Sequence, residues 1–516
     1  MQDAVKVCRA LSVRYLWIDA LCIIQDPVDL SDWERESERV GHVFLNAYFT
    51  ICAVASASCH QSFLDRRHDT FDFEFQSSLY PPARGTYTLL FTGREETLQG
   101  FDPVSTDLLN SSWDKRGWIF QEDQLSVRKL LFGPHMVYFD CGASSKAAEN
   151  GMVSEWSVGA DWSSAFLAYS SRMDLYRAFA WGLTSYAERK LSYESDRLPA
   201  LSGIAKRVFD LVGGGGYLAG LWKEHLHIAL LWHRCHPTAE DMAEHLAALR
   251  ASTGSGAPSW SWASQPGSFD HGLPGFEVLA GERHLRPEYS AIDGWTVLKG
   301  AGLNQFGEVE SGTIRVRGKV LSLPEHLVPT ASRSPEDPST GSTLWKVYQN
   351  GKVTAYCVLD WISASPEQEP GKLLMLLLSS TCHGTATTRR RCPDTQNSEE
   401  DEDAEDDNEG DDEEHDENGH EDANEDRHEI LEGDLSQGTS SEAEPASSRN
   451  ERPFAPTDAC VSCRNRKRNR RAWGLIIHPA EKAGEYYRVG VFLSPAGRAR
   501  GTRLFKGVGD QTIDII

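Results

Sequence analysis

The sequence predicts an α/β fold: a parallel-sheet layer over residues 1–145, a mainly helical region over 146–265, and a β-rich C-terminal region over 266–382 and 472–516. A disordered insert, acidic and then basic, separates the last two pieces at 383–471. Three observations carry this prediction. A strand–helix–strand pattern fills residues 15–55, helical patterning dominates 166–212 and 217–250, and short apolar runs of β type take over from about residue 290. At 516 residues the chain is long enough for two or three domains with real cores.

The run YLWIDALCII (15–24) reads as a short buried strand that ends near Asp19, with Pro27 and Asp29 in the loop that follows. Ser31 and Glu34 have the spacing of a capping box, and the helix they open runs to about Ala47. YFTICAVA (48–55) is then a second strand, which requires a parallel pair with a right-handed crossover. At 100° per residue, Trp33, Val40, Val43, Phe44 and Ala47 share an arc of about 100°, with Glu34, Glu38, His42 and Leu45 opposite. Glu36 falls inside the apolar arc. A carboxylate there must be paired or turned into a cleft, because isolated burial is costly; Arg39 and Arg116 are the cations available to pair with it.

SWDKRGWIFQEDQLS predicts a helix, and KLLF, Gly133-Pro134 and MVYFDC predict a hairpin. GGGG at 213–216 is a hinge or loop. Trp260 and Trp262 in PSWSWAS alternate as strand residues do and suit core packing, while Asp196 and Arg197 suit a cap and a surface pair at a helix start. TIRVRGKVLSL, KVTAYCVLDWI, KLLMLLLSS, AWGLIIHP and EYYRVGVFLS predict the C-terminal strands.

The net charge of −24 is concentrated in one tract. Residues 394–434 hold 23 Asp or Glu against one Arg, so the rest of the chain sits near −2 and gives no support for nucleic acid or anionic membranes as partners. Eleven scattered cysteines, no secretory h-region and no apolar run approaching 18 residues predict a cytoplasmic protein without a membrane span.

Several separated blocks fit one pattern: RYLWIDALCIIQD, DWERESERVGHVFLNAYFTI, Trp113 with RGWIFQEDQLS, MVYFDC, SYAERKLSYESDRLPALSGIA, YLAGLW with LLWH, and APSWSWAS. Together, in this order, they resemble the fungal heterokaryon-incompatibility (HET) domain family over roughly residues 3–264, with RVGVF at 488–492 similar to the tail segment of such proteins. The resemblance implies a role in non-self recognition as an effector of regulated cell death, acting through assembly with other proteins or with itself. It also implies a distant similarity to TIR domains, some of which cleave NAD with a glutamate. HET domains usually open upstream on a strand with an LSYxWG-like run. This chain opens on the helix before YLWID, so a fragment or a degenerate member is expected, and either weakens the expectation of catalysis.

By that analogy Glu36 is a candidate catalytic carboxylate, with an ion pair as its alternative role. Asp19, near a strand end where α/β sheets collect ligand groups, is a second candidate, with a turn-holding role as its alternative. Arg116, Trp118, Gln121 and Glu122 form either a structural clamp or a ligand contact. NAD enters only as a substrate, and no cofactor is indicated. No metal site is predicted: HLHIALLWHRCH lacks an i, i+4 pair of ligands, and Cys460 and Cys463 open a binuclear zinc-cluster pattern whose third thiolate position holds Arg470. The basic run Arg464–Arg471 could serve as a nuclear-localisation signal in a nuclear regulator, or as an intrachain partner of the acidic tract.

Overall fold

The computed structural model describes residues 1–24, 26, 31–65, 70–90, 107–108, 111–134, 136–141, 145–147, 153–154, 171–252, 256–265, 267–273, 276–277, 285–299, 304–323, 326–329, 342–362, 372–381, 470–497 and 499–516. Contacts divide the chain into a unit of Met1–Thr387 with Val461–Ile516 and a second unit, Thr388–Cys460. The second unit, and with it nearly all of the predicted insert, lies outside the described residues.

The chain is a mixed α/β protein with a large β-rich C-terminal region. Its N-terminal sheet runs in the order Thr50–Cys52, Lys129–Phe132, Val137–Asp140, Ser145–Ala147, Val153–Ser154. Only the first pairing is parallel, with Thr50 opposite Lys129, and the predicted hairpin follows with Lys129 opposite Asp140. The expected strand at 15–24 is absent. Residues 13–18 have no ladder partner among the described residues, and Asp19–Cys22 is a single helical turn whose first side chain accepts a hydrogen bond from Ala20 N–H at 2.7 Å. Apolar content alone does not make a strand where no neighbour takes up its backbone groups.

The helix Ser31–Asn46 lies against Ser202–Val212 with Gly41 facing Gly203, where a Cβ on Gly41 would come within 2.8 Å of the Gly203 Cα. This close approach turns the buried face toward Ser37, Val40 and Gly41, by about 60° from the arc that large apolar residues define. Glu36 therefore sits at the flank of the interface, paired with Arg39 at 3.4 Å. The helix predicted from Trp113 begins only at Ile119 and ends at Leu125. A buried triad pins it to the sheet: Lys129 Nζ lies 3.0 Å from Asp123 Oδ1 and 3.0 Å from Asp140 Oδ2. Burial pulls that ammonium down, but the two carboxylates more than offset this and hold it above the ordinary lysine range.

The middle region is less helical than expected. Arg172–Ala187 and Ser202–Val212 are helices, and the latter ends in a left-handed Gly213, φ 75°. Residues 217–234 form three short strands, with the 3-10 helix Lys223–His225 and the single helical turn Leu226–Ala229 between the second and third, before the helix Met242–Ser252. Trp260 and Trp262 are buried, but in a turn that leads into a 3-10 helix.

A ten-stranded sheet from Arg286–Pro287 to Asp510–Ile515 is antiparallel except where Glu485–Ser494 meets Asp510–Ile515. Both of its faces are covered. Leu376 and Leu378 join a core shared with the helices, whereas Met375 and Leu377 join a second core on the opposite face. Two of the sequence blocks meet inside: Arg488 pairs with Asp360 at 2.5 Å, and its guanidinium stacks 3.4 Å from the centre of the Trp232 ring. Arg470, expected in the insert, is buried instead and donates from Nε to Ser380 Oγ at 2.8 Å. The end of the basic run is thus part of the fold.

Candidate functional site

A cleft of about 770 Å³ opens between the N-terminal elements, the segment 190–199, and Lys299 with residues 304–308. Each wall has a local cause. Trp33 is one helical turn from Ser37 and two from Val40, so it emerges where the buried face of Ser31–Asn46 meets solvent, with Glu34 beside it. Trp118 meets Trp33 edge to face at 6.3 Å and donates from its indole N–H to Asp196 Oδ2 at 3.0 Å. Asp196 therefore braces the cleft, and Arg197 pairs with Glu194 at 2.5 Å in place of the predicted arrangement. Trp17 packs on Phe44 at 5.7 Å.

The second wall is held by backbone. Gly117 N–H donates to Lys190 O at 2.7 Å and Lys190 N–H to Lys115 O at 2.7 Å, which sets Arg116 beside Lys190 as a parallel bridge. A Cβ on Gly117 would come within 2.4 Å of Leu191 Cδ2, so any larger residue here must displace that side chain. The third wall is formed by Lys299, Asn304, Gly307 and Glu308, and the Lys299 ammonium pairs with Glu308 at 2.7 Å.

Four of the six sequence candidates line this cleft: Asp19, Arg116, Trp118 and Glu122. Glu36 does not line it. Gln121 is buried behind it, accepting from Gly203 N–H at 3.0 Å and so tying two helices together. Glu34, assigned only a capping task from its spacing, is part of the lining, as are Lys190, Asp196, Lys299, Asn304 and Glu308. Lys190, Lys299, Asn304 and Glu308 carry no local signal of a site, since only tertiary packing brings them to the cleft.

Glu122 has the most perturbed carboxyl in this group. Burial raises it from 4.5 to about 7, with Asp19 and Asp123 pushing in the same direction and Arg116 pulling against them. A carboxyl that exchanges its proton near neutrality, inside an aromatic cleft, is equipped for acid–base or electrostatic catalysis. Burial also raises Asp196, against the hydrogen bond from Trp118. Among the described residues no group of three His, Cys, Asp or Glu is placed to hold a metal, and no helix is long and apolar enough to cross a membrane.

The fold so far is an α/β layer joined to an antiparallel β-rich region, with a carboxylate-bearing cleft where they meet. The family model described as Heterokaryon incompatibility protein (HET) matches residues 1–122, and over that segment the HET resemblance holds. The matched segment includes Asp19, Glu36, Arg116, Trp118 and Glu122 and stops short of the other two walls. No curated protein and no solved structure matches the chain.

Proposed function

We propose that this chain is a heterokaryon-incompatibility-type effector whose cleft cleaves the N-glycosidic bond of NAD, with Glu122 as the working carboxylate. The observation that carries this reading is the cleft-lining Glu122 with its carboxyl held near neutrality among tryptophans. The nicotinamide of NAD is a pyridinium cation, which suits stacking on Trp33 or Trp118 beside the carboxylates of Glu122 and Asp19. Cleavage breaks the bond from the sugar C1′ to the ring nitrogen, and the electron pair leaves with neutral nicotinamide. Ionised Glu122 stabilises the cationic sugar by the logic of glycoside hydrolysis. Water then bonds to C1′ and gives its proton to a cleft carboxylate and on to solvent. The distant TIR similarity implied by the family points to the same chemistry.

Purified full-length chain incubated with NAD should release nicotinamide and ADP-ribose, measured by chromatography. Glu122→Gln should slow release by roughly 10²–10⁴-fold, and Glu36→Gln should leave it near wild type. Equal release by wild type and Glu122→Gln rejects the assignment.

Self-association is the second reading, favoured by the hairpin of Thr70–Gln76 and Arg84–Leu90. Phe71, Phe73, Phe75 and Tyr87 share one of its faces, and Phe73 and Tyr87 are 54% and 58% exposed. A second copy of the chain is the partner proposed for that face.

A further inference from the structure

We propose that Arg116 and Lys190 form a phosphate subsite that holds the diphosphate of a dinucleotide while Glu122 faces the sugar. This rests on the NAD-cleaving reading and goes beyond it in naming the group that fixes the substrate and the residues that read it. The two residues are backbone neighbours in a parallel bridge, locked by the hydrogen bonds of Gly117 and Lys190, so their side chains leave on the same face, and both line the cleft. Other cations nearby are neutralised: Arg189 by Asp114 at 2.5 Å, Arg197 by Glu194 at 2.5 Å, and Lys299 by Glu308 at 2.7 Å. Among the described residues neither Arg116 nor Lys190 has a carboxylate within ion-pair distance. Both are exposed cations on one wall of the cleft, and a bound anion would be attracted to each of them.

The chemistry of the pair is specific. A guanidinium gives two parallel N–H donors matched to phosphate oxygens, and an ammonium adds a mobile point charge for a second phosphate. The Arg116 charge also acts on the Glu122 carboxyl, so a phosphate held by Arg116 places the rest of a dinucleotide beside Glu122 and Asp19. Lys190 lies outside the segment matched by the family model, so its place in the subsite comes from the tertiary fold.

The test measures binding of ADP, adenosine and inorganic pyrophosphate to the full chain through tryptophan fluorescence, in wild type and in Arg116→Gln/Lys190→Gln. ADP should bind about 30-fold tighter than adenosine, and the double variant should reduce ADP to the adenosine level. Pyrophosphate should compete with ADP in wild type only, and rising salt should weaken ADP without affecting adenosine. Equal binding of ADP and adenosine by wild type, or ADP binding unchanged in the double variant, overturns the subsite. If wild type binds ADP through these residues yet leaves NAD intact, the cleavage reading falls and the subsite stands. If the double variant cleaves NAD with unchanged KM, the subsite falls and the cleavage reading stands.

Discussion

Replacing Lys129 with Met removes a buried ammonium that lies 3.0 Å from each of two carboxylates in the N-terminal core. Lys129 and Asp140 are 2% and 0% exposed at the side chain, and Asp123 is 9% exposed. Methionine fills much the same volume, so cavity formation adds little and the cost is almost wholly electrostatic. Breaking a buried pair by removing one partner costs about 3–5 kcal/mol, and Lys129 is the shared partner in two such pairs. Urea unfolding followed by tryptophan fluorescence should show a loss of that size for Lys129→Met. Lys129→Met/Asp123→Asn/Asp140→Asn should recover most of it, because the two carboxylate charges are removed together with their ammonium. A loss below about 1 kcal/mol in the single variant would refute the view that this triad fixes the helix bearing Glu122.

The remaining predictions concern the cleft and the hairpin. Glu122 is raised from 4.5 to about 7 in the fold, so its stability contribution is complete below pH 4.5 and lost as pH rises through 7. Between pH 4.5 and 8 Glu122→Gln should therefore gain on wild type by about 2 kcal/mol, after discounting for partial contact with water, and parallel pH series of urea melts check this. Nicotinamide release should climb with pH and level off above about 7, as the carboxylate form fills. Gly117→Ala should cost about 1–3 kcal/mol through its clash with Leu191 and raise KM by displacing the Arg116–Lys190 wall. Phe73→Lys with Tyr87→Lys should shift the mass measured by light scattering from oligomer to monomer, and an unchanged mass would exclude the hairpin as the contact.

The sequence was most informative where burial is two-sided. LLMLLL reads as a strand because both faces of its sheet are covered, which removes the need for polar alternation. It misled where small residues made the contact. Ser37 and Gly41 carry no hydrophobic signal, yet the approach of Gly41 to Gly203 sets the orientation of the helix, which moves Glu36 to a flank and brings Glu34 to the cleft. Arg116, Trp118 and Glu122 were readable as a group because one short segment supplies all three. Lys190, Asn304 and Glu308 come from distant segments, so no local spacing marks them.

Expression of the full chain in yeast, with cellular NAD and growth followed together, tests the central claim most directly. Wild type and Glu36→Gln should deplete NAD and arrest growth, while Glu122→Gln should do neither at equal protein level. Growth arrest by Glu122→Gln at undiminished NAD would contradict the account and leave assembly as the mode of action.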